Sequence, residues 1–202
     1  DEVTVSGDGF VAGEGATYDV TGSQTDVGSS DNEFTYTLNG NTKAQNYDIT
    51  PAFGKLTVKE FTDEVIVTIK ENSGSEKYDG TEKTVTGYTV ESISDPLYTE
   101  NDFTFSGDAT IKGTDAGSYD MNVKATDFTN TNGNFTKVTF VIEDGKLTIS
   151  KRQVTLTSGS DEKVYDGTAL TKDEVTVGGD GFVAGEGATY DVTGSQTDVG
   201  SS

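Results

Sequence analysis

The sequence predicts an all-β chain: tandem small β modules in an elongated rod, with little or no helix. Three observations predict it. Apolar and polar residues alternate over short runs, glycine interrupts every longer run, and a thirty-residue stretch recurs at the far end of the chain. Period-two alternation gives a strand one apolar face, and no segment holds eleven residues at the 3.6-residue period of an amphipathic helix.

Taken in order, Phe34, Tyr36 and Leu38 face one way and Glu33, Thr35 and Thr37 the other. Leu56 and Val58 come next, followed by a run over residues 65–69. Val138, Phe140 and Ile142 alternate with Thr139, Val141 and Glu143; Leu147 with Ile149, then Val154 with Leu156, complete the series. Threonine recurs along the chain, and its β-branched side chain suits the solvent face of a half-buried sheet. Asn39-Gly40 and Asn132-Gly133 stand between alternating runs and predict type I′ hairpin turns, with positive φ at both residues. One short helical turn is expected near residues 95–101. The links are short: residues 150–153 join one pair of strands and residues 59–63 another, without the Gly/Ser composition of a flexible tether. One module's last strand thus runs almost directly into the next module's first, and the expected rod is stiff.

Residues 1–30 and 173–202 are identical except that Ser6 becomes Gly178, an offset of 172 residues. A weaker repeat has half that period. Lys-Val-Tyr-Asp-Gly-Thr at 163–168 answers Glu-Lys-Tyr-Asp-Gly-Thr at 76–81, and Thr-Asp-Val-Gly-Ser at 25–29 answers Thr-Asp-Ala-Gly-Ser at 114–118. Gly-Lys-Leu-Thr-Val at 54–58 answers Gly-Lys-Leu-Thr-Ile at 145–149. The module is therefore about 85–90 residues long, and the longer period is a pair of diverged modules. In this phase residues 1–59 are an incomplete β module lacking its first strand, and 60–150 a complete β module. Residues 151–202 are the N-terminal part of a third. The chain is expected to begin and end inside a module.

Composition narrows the function. Fourteen Lys and Arg face 35 Asp and Glu across 202 residues, a net charge of −21. Such a field repels nucleic-acid phosphates and anionic lipid, which need a positive patch to release counterions. No apolar run approaches the roughly 18 residues of a bilayer span, so no membrane insertion is expected. Cysteine and histidine are absent, which removes thiolate nucleophiles, disulfides, Ser-His pairs and imidazole metal sites together. Hydrophobic residues make up 31%, low for one large globule, yet nine Tyr and ten Phe argue against disorder. Small modules with thin cores reconcile the two.

The ordered set Lys-x-Tyr-Asp-Gly-Thr, Asp-Ala-Gly-Ser-Tyr at 115–119, Asn-Tyr-Asp-Ile-Thr-Pro at 46–51 and Gly-Lys-Leu-Thr-[Val/Ile] resembles the mostly-β-grasp repeats, of the Tyr-Asp-Gly type, of bacterial cell-surface adhesins. The resemblance covers essentially the whole chain. It implies a β-grasp-like sheet with first and last strands adjacent and parallel, and a stalk-repeat role. It implies no catalytic residues. Residues 128–135 of the second module are longer than the region around Asn46 and Tyr47 in the first.

Candidate chemistry is weak beside its structural reading. Asp79-Gly80 and Asp166-Gly167 read as turns, with Asp bonding its own backbone and the rings of Tyr78 and Tyr165 packed on the core. Gly7-Asp8-Gly9 and Gly13-Glu14-Gly15 read as turns too, because a phosphate loop needs a lysine and a following helix N-terminus. A glycosidase-like carboxylate pair would need one built cleft, whereas these acids are copied along a repeat. Asp26, Asp31 with Asn32, and Asp95 with Glu100, Asn101 and Asp102 offer hard oxygen ligands for calcium, but without EF-hand spacing. Lys163 or Lys146 could supply an internal Lys–Asn isopeptide crosslink. Asn134-Phe135-Thr136 is a glycosylation sequon.

The expectation is a non-enzymatic protein with no catalytic, cofactor-binding or metal-ligating residue assigned, and calcium the one candidate ion. The leading function is a structural stalk or spacer repeat of a bacterial surface adhesin or extracellular fibre, located at the cell surface. Its partners are neighbouring copies or adjacent repeats, joined head to tail by strand complementation in which Val154–Leu156 pairs in parallel with Leu56–Val58 of another copy. The alternative is a binding module that recognises host glycan or protein.

Overall fold

The computed structural model describes residues 2–201. Sixteen strands and three single turns of 3-10 helix account for its regular structure. The first stretch carries β1 (Ala16–Val20), β2 (Gly28–Asn32), β3 (Phe34–Leu38) and β4 (Gly54–Val58). The middle stretch opens with β5 (Val65–Glu71), β6 (Gly74–Lys77), β7 (Lys83–Thr86), β8 (Tyr88–Ile93) and β9 (Phe103–Phe105). It continues with β10 (Thr110–Gly113), β11 (Gly117–Asp120), β12 (Phe128–Asn130), β13 (Val138–Glu143) and β14 (Lys146–Ser150). Two strands follow, β15 (Val154–Ser158) and β16 (Val175–Gly179). The chain is all-β, as its alternation predicts.

Burial is confined to the middle. Among the described residues, every buried hydrophobic side chain lies between Val65 and Ile149. β5 shows why: Val65, Val67 and Ile69 are fully buried at alternate positions, while Ile66 between them is 41% exposed. β5 is the central strand of a sheet ordered β13-β5-β8, and a bulge between Thr68 and Ile69 bends its pairing with β8. A second sheet is ordered β11-β14-β6, with β6 parallel to β14 and β11 antiparallel to it.

The chain divides into two compact units. One holds the described residues up to Ile66, Ser94–Thr104 and Thr129–Thr139; the other holds Val67–Ile93, Phe105–Phe128 and the residues from Phe140 on. In the first unit, Val65, Tyr98, Phe103 and Phe135 are buried, and the Tyr98 and Phe135 rings meet edge to face at 5.1 Å. Its two-stranded sheets, β1-β3 and β2-β4, carry half-exposed aromatics such as Tyr36 and Phe53. In the second unit, Val67, Ile69, Ile111, Met121, Val123, Phe128, Leu147 and Ile149 are buried. Phe128 also stacks on Phe140 at 5.2 Å and meets Tyr88 edge to face.

Glu71, only 2% exposed, closes this second core. Its Oε1 accepts the Val123 N–H at 2.8 Å and its Oε2 the Gly145 N–H at 2.6 Å. One side chain thereby satisfies two buried donors that would each cost free energy if left unpaired. Gly145 is required there, because a Cβ would sit 2.4 Å from the Asn72 carbonyl oxygen.

Four expectations are corrected. The opening strand breaks near Asn72: its first half, β5, pairs with β8 and β13, and only its continuation, β6, lies parallel to the closing strand β14. Val154–Leu156 lies in β15, which pairs antiparallel with β16, so it is not the counterpart of the strand that meets the closing strand. Neither Asn-Gly pair forms a type I′ turn, since no described non-glycine residue has positive φ and Gly40 and Gly133 are not among the positive-φ glycines. Asn instead takes the first turn position: Thr42 N–H donates to the Asn39 carbonyl, Phe135 N–H to the Asn132 carbonyl, and Asn134 N–H to Asn132 Oδ1 at 3.0 Å. Tyr165 is 60% exposed instead of packed on a core. The helical turn expected near 95–101 falls at Glu100–Asp102, capped by Thr99.

Candidate functional site at the module junctions

Chemistry in this chain is concentrated where one repeat meets the next. The Tyr-Asp-Gly-Thr turns are the first component. Asp79 Oδ1 accepts from the Thr81 N–H at 2.9 Å and its hydroxyl at 2.6 Å, with Gly80 at φ +80°. Asp166 repeats this on Thr168, with Gly167 at φ +79°. Lys83 beside Asp79, and Lys163 beside Asp166, hold both carboxyls far below the ordinary carboxylate range, helped by the threonine donors. The turn reading of both motifs holds.

In the second unit, the turn at Tyr78 receives the loop that follows β16. Arg152, the only arginine of the sequence, reaches three backbone carbonyls. Its Nε donates to Gly181 at 2.8 Å, Nη1 to Tyr78 at 3.4 Å, and Nη2 to Asp180. Asp180 is held from both sides: its Oδ2 accepts the Gln153 N–H at 2.9 Å, its Oδ1 pairs with Lys77 at 2.8 Å, and its own N–H donates to the Gln153 carbonyl at 2.7 Å. Lys77 and that N–H lower the Asp180 carboxyl. The Tyr78 hydroxyl donates to Glu186, a bond that raises the tyrosine above its usual value. Val183 closes over Gly80, where a Cβ would meet it at 2.9 Å. A guanidinium fork, two acid partners and a bare glycine thus fix the strand-to-strand link.

In the first unit, Asn134 does comparable work. Its Nδ2 donates to Asp26 Oδ1 at 3.0 Å, and its Oδ1 accepts the Val27 N–H at 2.8 Å. Its carbonyl accepts the Phe61 N–H, and the Phe61 and Phe135 rings lie 5.3 Å apart. Asn132 Nδ2 donates to Asp102 Oδ1 at 2.8 Å, and the Tyr98 hydroxyl lies 3.0 Å from both the Asp102 carbonyl and Asn130 Oδ1. Burial and the nearby Asp102 push the Tyr98 hydroxyl up to about 12. Both amide atoms of Asn134 are engaged, so the sequon asparagine is a structural staple.

The candidate calcium ligands are dispersed among local bonds. Asp31 pairs with Lys55 at 2.5 Å, Asp95 accepts the Leu97 N–H at 2.8 Å, and Asp102 caps Thr99. Asp26, Asn101 and Asp102 line one open depression with Asn132 and Asn134, while Asn32 and Glu100 are not part of its lining. Among the described residues no group of three or more acidic side chains is placed to hold a metal. Lys163 contacts Asp166 and Thr168, and Lys146 pairs with Asp120 at 3.4 Å; these are surface ion pairs. Gly7, Gly9 and Gly13 all have positive φ, and Glu14 N–H closes a turn on Val11, as expected of the two glycine-acid-glycine loops.

Sequence reasoning missed Arg152, Asn134 and Glu71. A lone arginine inside a four-residue link of a chain with 35 acids was a signal that could have been used. Glu71 gave none, being one acid among many.

No helix among the described residues is long and apolar enough to cross a membrane. No curated protein and no solved structure matches the chain. A family model does match, that of the MBG domain, over residues 65–151, the stretch that holds every buried hydrophobic side chain described above. The family is a β-grasp-like domain found in bacterial surface proteins. With its parallel β6-β14 pair, its Tyr-Asp-Gly turn and its closing Gly-Lys-Leu-Thr strand, the segment 65–151 belongs to the MBG domain family.

Proposed function

We propose that the chain is a structural stalk or spacer repeat of a bacterial surface adhesin or extracellular fibre, held outside the cell and joined head to tail to neighbouring repeats or copies. It is neither an enzyme nor a cofactor protein in this reading. The observation that carries it is the junction at Arg152, where three carbonyls and the Asp180 carboxylate fix a link of the kind a flexible tether would leave loose. Membership of a surface-protein domain family supports the setting, and a net charge of −21 keeps parallel rods apart.

A second reading, a module binding host glycan or protein, is favoured by Tyr18 and Tyr36, paired across β1 and β3 and each more than a third exposed. Arrays of glycans and host matrix proteins probed with the purified chain separate the two. A spacer gives no saturable binding. Saturable binding that Tyr18→Ala or Tyr36→Ala abolishes overturns the spacer reading.

A further inference from the structure

The duplicated segment is folded twice in this chain, with the same local geometry and different partners. Twin glycines share their backbone: φ is +76° and +74° at Gly7 and Gly179, +68° and +67° at Gly9 and Gly181, +84° and +89° at Gly13 and Gly185. Glu14 N–H bonds the Val11 carbonyl at 3.0 Å, and Glu186 N–H the Val183 carbonyl at 2.9 Å. Long-range contacts are complementary. The first copy forms β1 on β3 and β2 on β4, while its residues 3–7 form no strand. The second copy forms β16 on β15 at the positions of 3–7, while its residues 188–192, twins of β1, form no strand. Each copy makes half of the contacts the sequence supports.

The MBG domain shows what the other half looks like. There β6 lies parallel to β14, with Leu147 opposite Gly74 and Ser150 opposite Lys77. Aligning the Tyr-Asp-Gly turns puts residues 161–164 in the place of β6, and aligning the Gly-Lys-Leu-Thr strands puts β4 in the place of β14. Residues 161–164 form no strand, and Val164 is 90% exposed. β4 is bonded to β2 alone among the described strands, and an open depression lined by Val27, Thr57, Val58 and Lys59 lies at its C-terminal half. An unpaired edge of this kind templates another strand.

We infer that a second copy of this chain fills both gaps: its residues 2–59 displace residues 173–201 of the first copy and lay β4 parallel along residues 161–164. The inference rests on the head-to-tail reading above and specifies its partner strands. Exchange keeps what the displaced segment makes. Residues 3–7 replace β16 on β15, Asp8 replaces Asp180 between Lys77 and Arg152, and Glu14 replaces Glu186 under Tyr78. It also adds what the displaced segment cannot supply, the β4 ladder and the intact β1-β3 and β2-β4 pairs. Glu14 keeps Tyr47 on one oxygen and takes Tyr78 on the other, within the capacity of a carboxylate. The register puts Thr57 opposite Glu162 and Val58 opposite Lys163, and brings Lys55 and Lys59 towards Asp161 and Glu162. Each copy offers a head and a tail on different surfaces, so the contact is heterologous and the product an open chain.

The chain has no cysteine, so engineered pairs read the contact directly. Thr57→Cys and Glu162→Cys are both surface changes; neighbouring strands place such residues about 5 Å apart, within disulfide reach. An equimolar mixture of the two variants under mild oxidation is expected to give a mixed disulfide dimer that neither gives alone. In sedimentation, Asp180→Ala is expected to strengthen self-association by about tenfold, because it loosens the segment to be displaced. Asp8→Ala, the same change in the incoming copy, is expected to weaken it by a similar factor. Twin substitutions acting in the same direction overturn the inference, as does a chain that stays monomeric without forming the mixed disulfide. Glycan and matrix binding decides the spacer reading separately, since it is measured on monomer and is indifferent to these variants.

Discussion

The Tyr78 hydroxyl donates to Glu186, while Glu14, the twin of Glu186 in the duplicated segment, takes the same bond from Tyr47. One short sequence thus acts twice as a receiver for a tyrosine, from two different strands of chain. In both cases the carboxylate acceptor raises the phenol above its usual value near 10. The phenol must stay protonated to donate.

The sign of the pH dependence follows. A group whose folded value lies above its unfolded one contributes stability that is complete below about pH 10 and is lost as pH rises through the folded value. Tyr78→Phe is expected to loosen residues 175–187 at neutral pH, and wild type to show the same loosening only in strong alkali. Amide hydrogen exchange of that segment checks both, and a segment equally protected in Tyr78→Phe would remove the bond from the account.

The acid side has the opposite sign. Asp79, Asp166 and Asp180 are all lowered by their lysine and N–H donors, so their contribution is complete above an ordinary value of 3.8 and fades as pH falls below it. Protease cleavage near residues 161–168 is expected to rise below about pH 4 in wild type, and Asp166→Asn is expected to show the raised cleavage already at pH 7. Nine-tenths of the chain's acids sit outside these turns, and general charge effects are separated by repeating the measurement in high salt.

Glu71→Gln tests the buried staple. The amide keeps one acceptor and turns a donor toward the second N–H, so one of the two bonds from Val123 and Gly145 is lost. A loss of about 1–3 kcal/mol in urea unfolding of the chain is expected. An unchanged midpoint would mean that water satisfies the freed group.

Local pattern was enough for the strands that bury one face, such as β5, β13 and β14, because alternation is a property of the strand itself. It was not enough for β1, β16 or the duplicated segment as a whole. Residues 3–7 and 175–179 differ only at Ser6 and Gly178, yet one is strand and the other is not. What differs is the presence of β15, so the deciding information lies in a distant partner and not in propensity. The junction was illegible for a related reason. Arg152 acts on carbonyls, which every residue carries, and nothing in the residues near 78 or 180 marks them as its acceptors.

Two glycines distinguish the observed turns from the type I′ turns the sequence suggested. Gly133 has open space at its Cβ position and no positive φ, so Gly133→Ala is expected to be neutral or to stabilise by about 0.4–1 kcal/mol through the unfolded chain. In a type I′ turn the same change would be costly. Gly145→Ala, by contrast, drives a methyl to 2.4 Å from the Asn72 oxygen and 2.7 Å from Glu71 Cβ. It is expected to cost about 1–3 kcal/mol by overpacking. Thermal melts of the two variants rank them, and a destabilised Gly133→Ala would restore the positive-φ turn.

Arg152→Lys is the sharpest test of the junction. Both residues carry one positive charge, so the field at Asp180 is nearly retained and only the geometry changes. A guanidinium presents a planar fork that serves the carbonyls of Gly181, Tyr78 and Asp180 together; an ammonium on a shorter reach serves one or two of them. If the fork fixes the link, Arg152→Lys is expected to raise exchange and proteolysis across residues 150–153 and 179–183. The melting of the MBG domain, whose buried side chains end at Ile149, should move by no more than a degree or two. If charge alone matters, the lysine variant will match wild type and Arg152→Gln will not. Loss of the domain's own melting transition in Arg152→Lys would instead make this arginine a part of the domain fold, and the rigidity of the link would need another source.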